Sequence, residues 1–195
     1  MEREKRSLGM EVKEQIKGYT PYKEQEAVEK EMILSYMEES DTIFTRENKM
    51  AHMTASSWIV NKERTKVLMI YHNIYNSWAW TGGHADGDED LLHVAIKEAM
   101  EETGLKSVTP VSTDIFSLEI LGVNGHVKRG EFVGSHVHLN ITYLLEADEK
   151  EELRSKPDEN SGVKWVPIEE AVSLSSEPYM QTIYKKLNEK LTSFR

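Results

Sequence analysis

Glu98, Glu101 and Glu102 stand at i, i+3 and i+4, so on a helix their carboxylates share one face within about 100° of arc. Like charges placed so close repel, and on an exposed helix the triple is mildly destabilising. Oxygen ligands from a few carboxylates are nevertheless what a hard dication such as Mg²⁺ or Mn²⁺ requires. The chemistry on offer is therefore divalent-metal binding. Acidic residues are plentiful here, 34 Asp and Glu against 24 Lys and Arg, and a cluster such as Glu149, Glu151 and Glu152 reads as solvated charge. The first cluster differs in its company: Gly83, Glu89, Lys97, Ala99, Gly104 and Leu105 surround it at fixed offsets.

The neighbouring residues predict the helix that must hold these carboxylates. Leu92, Ile96, Ala99 and Met100 recur at helical spacing and form an apolar stripe on the opposite face. Asp86, Asp88 and Asp90 offer N-caps with acidic charge at the positive dipole end, and Gly104 suits the left-handed residue that ends a helix, with Leu105 as its apolar closure. These signals bound a helix from about Asp90 to Thr103. Upstream, Trp80-Thr81-Gly82-Gly83 ends a strand, where two glycines let the backbone turn and approach a ligand.

The run resembles the signature of the Nudix hydrolases: a glycine, five residues, a glutamate, seven residues, then Arg-Glu-hydrophobic-x-Glu-Glu-x-Gly-hydrophobic, with every spacing met between Gly83 and Leu105. Two positions depart from it. Lys97 replaces the arginine, keeping a cation but losing the bidentate fork, and Thr81 stands where many members have proline. The resemblance implies the Nudix α/β/α sandwich with a mixed β-sheet over roughly residues 54–175, and hydrolysis of a nucleoside diphosphate linked to another group. It further implies Glu98, Glu101 and Glu102 as ligands of Mg²⁺ or Mn²⁺, the Gly83 carbonyl completing the set, and Glu89 and Lys97 orienting loop and helix through an ion pair.

A chain of 195 residues with 38% hydrophobic residues suffices for one core, and no apolar run is long enough to cross a membrane. The opening Met1-Glu2-Arg3-Glu4-Lys5-Arg6 lacks the apolar stretch of a secretory signal and no cysteine can form a disulfide, so a cytoplasmic location is expected. A net charge of −10 argues against extended contact with nucleic acid or an anionic membrane, while leaving a small metal-bridged phosphate substrate compatible.

The domain reading is an N-terminal helical extension over residues 1–50 and a hydrolase domain with a C-terminal helix over 51–195. In the extension, Gly18 separates two helices; Thr20-Pro21 opens the second, whose apolar face is Val28, Met32, Ile33, Tyr36 and Met37. Such a helix packs on the core or on a second copy in a homodimer, or gates the site. Strands are expected over Ser56–Asn61, Lys66–Tyr71, Ser112–Val123, Ser135–Leu145 and Gly162–Val166, with a loop through Gly125, Lys128, Arg129, Gly130 and Gly134. Pro167 begins a short helix, and Pro178–Leu191 forms a final amphipathic one.

Other candidates lie outside the helix. The resemblance leaves the general base open, since family members differ on this point: it is one of Glu98, Glu101 and Glu102, directly or through a water, or it is Glu159, with Asp158 as its rival, the alternative for Glu159 being an ordinary turn carboxylate. His136 and His138 alternate with Val137, Leu139 and Ile141, so they leave the apolar face together, and His84 lies in the glycine loop. All three are substrate-binding candidates; a three-histidine metal site would need them to converge. Trp78 and Trp80 can stack on a base or pack in the core, and Lys128 and Arg129 can reach a phosphate. The expected activity is a metal-dependent Nudix-type pyrophosphohydrolase on a small nucleotide derivative. A catalytically silent nucleotide-sensing domain is one alternative, although the four box glutamates are all present. An isopentenyl-diphosphate isomerase-like enzyme is another, against which the lack of cysteine weighs.

Overall fold

The computed structural model describes residues 11–128 and 130–194 of the chain. They form an α/β fold in two compact units. The first holds the described residues up to Ala55 with Gly83–Val94 and Asp114–Thr142; the second holds Ser56–Gly82, Ala95–Thr113 and the chain from Tyr143 onward. Among the described residues no helix is long and apolar enough to cross a membrane.

In the second unit the strand order is β10 (Asn160–Pro167), β2 (Lys66–His72), β1 (Ala51–Val60), β9 (His136–Glu146) and β5 (Thr109–Pro110), with β3 (Ser77–Ala79) also on β2; β1 contributes Ser56–Val60 and β9 contributes Tyr143–Glu146 to this unit. The β1–β2, β2–β3, β2–β10 and β5–β9 pairs are antiparallel, with Val60 opposite Val67 and Trp165 opposite Leu68. The β1–β2 turn is closed by Asn61, whose Oδ1 accepts from the N–H groups of Thr65 and Lys66, each at 2.9 Å. Strand β1 is buried along its whole length, as a strand covered on both faces must be. Trp58 stacks on Tyr184 at 5.2 Å, and the Tyr184 hydroxyl accepts from the Trp80 N–H at 3.1 Å, so Trp80 is a core residue. Tyr184 lies on α5 (Pro178–Leu191), which buries Ile183, Tyr184, Leu187 and Leu191 and coincides with the helix expected from sequence. Before it, α4 (Ile168–Leu174) follows directly on Pro167.

In the first unit β6 (Ser117–Val123) pairs antiparallel with β9, Ser117 opposite Thr142 and Val123 opposite His136, and β4 (Thr81–His84) pairs with β1. Two expectations are corrected here. The segment read as a plain loop contains a hairpin of β7 (His126–Lys128) and β8 (Glu131–Val133), which turns through Gly130 at φ +85°. The strand expected from Ser112 begins only at Ser117.

The N-terminal helices are residues 11–18, α1, and Glu24–Glu39, α2. Helix α2 starts three residues after Pro21, because the Glu26 carboxylate reaches back to accept the Tyr22 N–H at 2.7 Å and so sets the first turn there. Its expected apolar face docks only in part, through Ile33 with Tyr36 and Met37 half-buried. Val28 and Met32 are each 54% exposed, whereas Ile33 and Glu26 are buried. The rest of the docking face is polar because it meets an edge strand: Gln25 Nε2 donates to the Leu118 carbonyl at 3.2 Å, and Glu29 accepts the Ile120 N–H at 2.7 Å. Both groups lie on β6, so α2 satisfies an edge that would otherwise invite another strand. Glu26 also accepts from the hydroxyls of Ser117, at 2.7 Å, and Tyr19, at 2.6 Å.

Glu26 is a fully buried carboxylate that accepts from the Ser117 and Tyr19 hydroxyls and from the Tyr22 N–H, so its removal takes the acceptor from all three bonds at once. Glu26→Ala is expected to lower unfolding free energy by about 2–4 kcal/mol in urea titrations, while Glu31→Gln at an exposed position of the same helix changes it by less than about 0.5 kcal/mol.

Candidate active site

Helix α3 (Leu91–Thr103) carries the carboxylates and is fixed at both ends. Asp90 is its N-cap, with Oδ1 accepting the His93 N–H at 2.9 Å, and Asp88 in turn accepts the Asp90 N–H at 3.0 Å. At the other end Gly104 takes φ +74° and donates to the Met100 carbonyl at 3.0 Å. A side chain there would be strained and would meet the Arg154 Cβ at 2.9 Å, so glycine is required twice over. Asn160 Nδ2 donates to the Glu102 carbonyl at 2.9 Å and ties the last turn to β10.

The buried stripe of α3 is turned relative to the one expected. Leu91, Val94, Ala95 and Ala99 are the buried apolar positions, with Leu92, Ile96 and Met100 half-buried. That stripe continues at helical spacing into Glu102, which is only 3% exposed. The glutamates therefore do not form one outward face. Glu102 lies on the packed side, Glu98 at its margin and Glu101 in solvent. Close approach at Ala95 allows the buried Ser57 hydroxyl to donate to the Ala95 carbonyl at 3.1 Å, holding α3 on β1.

One oxygen of Glu102 accepts the Gly82 N–H at 2.9 Å, yet burial, with Glu98 and Glu159 adding to it, pushes this carboxyl well above the usual range. Burial and then Glu101 also raise Glu98, against the pull of Lys97 and Lys156. Lys97 Nζ is 3.9 Å from both Glu98 and Glu101, so its ion pairs are with carboxylates of its own helix. Lys156 Nζ lies 3.2 Å from Glu101 and 2.9 Å from Glu159. Burial opposes that ammonium, but its hydrogen bonds to Glu159 and Glu101 outweigh the penalty and raise its pKa.

Three carboxylates from two turns of one helix, two of them disfavoured as bare anions, suit a divalent cation: it supplies the charge that burial withholds and prefers oxygen ligands. The donor chemistry of the site thus fits Mg²⁺ or Mn²⁺.

Of the residues singled out by sequence, the second unit brings together Glu98, Glu101, Glu102, Lys97 and Glu159, with Asp158 exposed beside them. Trp78 stands in the same unit on β3, half-buried, with Lys164 Nζ 4.1 Å from its ring centre. Gly83 and Glu89 are half-buried residues of the first unit. That unit also gathers His84, His136 and His138 around His52. Burial and then the neighbouring imidazoles hold His138 down to about 2, and burial lowers His52. Arg129 and the side chain of Lys128 lie outside the described residues. Sequence reading missed Lys156, Asn160 and His52. The first two flank a polar turn more than 50 residues beyond the box, and His52 stands in a strand far upstream, with no local pattern to mark any of them.

The burial of Glu102 has a measurable consequence for the metal-free protein. Its folded pKa lies above the unfolded value near 4.5, so the native state is favoured below that value and loses stability as pH rises through the folded pKa. Glu102→Gln keeps an oxygen for the Gly82 N–H. In a chelator, melting curves should therefore show the variant more stable than the parent at pH 7, with the gain vanishing near pH 4.

The family model described as NUDIX domain matches residues 50–188. A curated protein of Pelagibacter ubique named RNA pyrophosphohydrolase is 27% identical over 137 residues, covering 68% of this chain and 86% of that protein. Among solved structures, the Nudix hydrolase RenU of M. smegmatis has a TM-score of 0.55 at 17% identity, over 74% of this chain and 88% of its own. An Ap4A hydrolase of C. elegans in a binary complex has a TM-score of 0.53 at 20% identity, over 73% of this chain and 96% of its own. These structural likenesses speak for the fold, and the family match covers the glycine loop, the carboxylate helix and the strands around them. The chain belongs to the NUDIX family, as a pyrophosphohydrolase of the Nudix type.

Proposed function

We propose that this protein hydrolyses the diphosphate linkage of a small nucleotide derivative, a nucleoside diphosphate joined to another group, with Mg²⁺ or Mn²⁺ held by Glu98, Glu101 and Glu102. The observation that supports this most is Glu102: a carboxylate carried into the packed side of α3, held on the Gly82 N–H and flanked by a second raised carboxyl. A divalent cation held by these carboxylates would supply charge neutralisation for the diphosphate under in-line attack by water. Glu159, fixed by Lys156 at 2.9 Å, takes the proton of that water, and Lys156 holds Glu159 and Glu101 together. Trp78 with Lys164 above its ring pairs an aromatic surface with a cation, suited to stacking a base and holding a phosphate.

The substrate reading favours small molecules. The Pelagibacter relative is named for RNA and the C. elegans structure for Ap4A. With a net charge of −10, this chain gains little from a polynucleotide tail, because each phosphate beyond the metal-bound pair meets a mostly acidic protein. A cytoplasmic location and a homodimer through the N-terminal helices belong to the same proposal. The exposed Val28 and Met32 of α2 are the patch such a dimer would bury.

A panel of dinucleoside polyphosphates, nucleoside diphosphate sugars and 5′-triphosphorylated RNA, assayed with Mg²⁺ and with Mn²⁺ in ¹⁸O-water, tests the reading. A small derivative is expected to show the highest kcat/KM, with the label on phosphorus. Label on carbon, or preference for long RNA with a steep salt dependence, overturns it. Glu102→Gln should lower turnover about a hundredfold or more, and Lys97→Met about tenfold, whereas Lys97→Arg is tolerated. Unchanged turnover of Glu102→Gln at saturating Mg²⁺ removes that residue from the ligand set.

A further inference from the structure

Four of the seven histidines of the chain meet in the first unit. His52 comes from β1, His84 from β4, and His136 and His138 from one face of β9. One ring nitrogen from each lies within 4.8 Å of the others, and the ring centres of His52 stand 5.0–5.2 Å from those of the other three. Stacking alone does not require the nitrogens to converge, nor does it explain their hydrogen bonding. A carbonyl only accepts, so the contact of His52 Nδ1 with the Asn48 carbonyl at 2.9 Å makes Nδ1 the donor and leaves Nε2 a bare lone pair. The same holds for His136, whose Nδ1 is 2.9 Å from the Gly134 carbonyl. His52 is 4% exposed, and its Nε2 has no hydrogen-bond partner among the described residues. An orphaned lone pair in such a place is costly unless it has a ligand.

We propose that His52, His84, His136 and His138 form a binding site for a borderline divalent transition metal, Zn²⁺ being the ion it takes, built from residues distinct from the α3 carboxylates. Imidazole is the donor such ions favour, whereas Mg²⁺ prefers oxygen. The Nε2 atoms of His136 and His138 are 3.1 Å apart, close to the ~3.3 Å edge of a tetrahedron with metal–nitrogen bonds of about 2.0–2.1 Å. The Asn48 and Gly134 carbonyls are the outer partners that fix the tautomer of a ligating histidine. The loop that follows His84 is held as well: Ala85 N–H donates to the Met53 carbonyl at 3.1 Å, and Arg46 grips Asp86 through two bonds of 2.7 and 2.8 Å. Bound metal would tie β1, β4 and β9 of this unit together, independently of which substrate the enzyme hydrolyses.

The test is a titration of chelator-stripped full-length protein with Co²⁺, followed by its visible absorption and then by competition with Zn²⁺. One equivalent is expected to give the intense bands of a low-coordinate nitrogen site, displaced by Zn²⁺ and retained in Glu98→Gln/Glu102→Gln. His136→Gln and His138→Gln should each weaken Co²⁺ binding about tenfold or more. As a measurement that needs no variant, ¹⁵N spectra of the histidines should show Zn²⁺ shifting four side chains and leaving the Nδ1–H of His52 and His136 in place. Absence of the Co²⁺ bands, or their loss in the glutamate variant with retention in both histidine variants, overturns the proposal.

Discussion

A carboxylate on the packed side of a helix is the constraint around which the second unit is arranged. Glu102 continues the stripe Leu91, Val94, Ala95 and Ala99, and a carboxylate there is tolerated only with compensation. Part of that comes from the Gly82 N–H, delivered by β4, the strand that carries the two glycines. The Asn160 side chain binds the Glu102 carbonyl, and Gly104 ends the helix against Arg154. What these groups leave uncompensated is the charge itself, a folding penalty on Glu102 that a bound cation would remove.

Lys156 extends the same electrostatics outward. It joins a carboxylate of α3 to Glu159 in the turn before β10, so the polar turn and the helix are positioned by one ammonium. Lys97, where family members carry arginine, sits at 3.9 Å from its two neighbours without a bidentate contact, in keeping with a point charge rather than a planar fork.

The first unit solves a different problem with similar means. The edge of β6 is met by Gln25 and Glu29, and the buried Glu26 draws hydroxyls from Ser117 and Tyr19. The N-terminal helix is thus held by directional polar bonds, which specify one register along the strand, while its apolar Val28 and Met32 face outward.

Local signals decided much from the sequence alone. The span of α3, its Asp90 and Gly104 ends, the hairpin of β1 and β2, and the limits of α5 follow from capping residues, left-handed glycine and periodicity, all of which act within a few residues. The box residues were legible because their spacing is itself the chemistry. Tertiary structure decided how the buried faces of α2 and α3 are turned, since an edge strand wanting hydrogen bonds draws Gln25 and Glu29 of α2 inward beside Ile33, and the Gly82 amide receives Glu102 on the packed side of α3. It also brought in Lys156, Asn160 and His52, whose roles arise from strand pairing between segments far apart in the chain, a relation that no local spacing encodes.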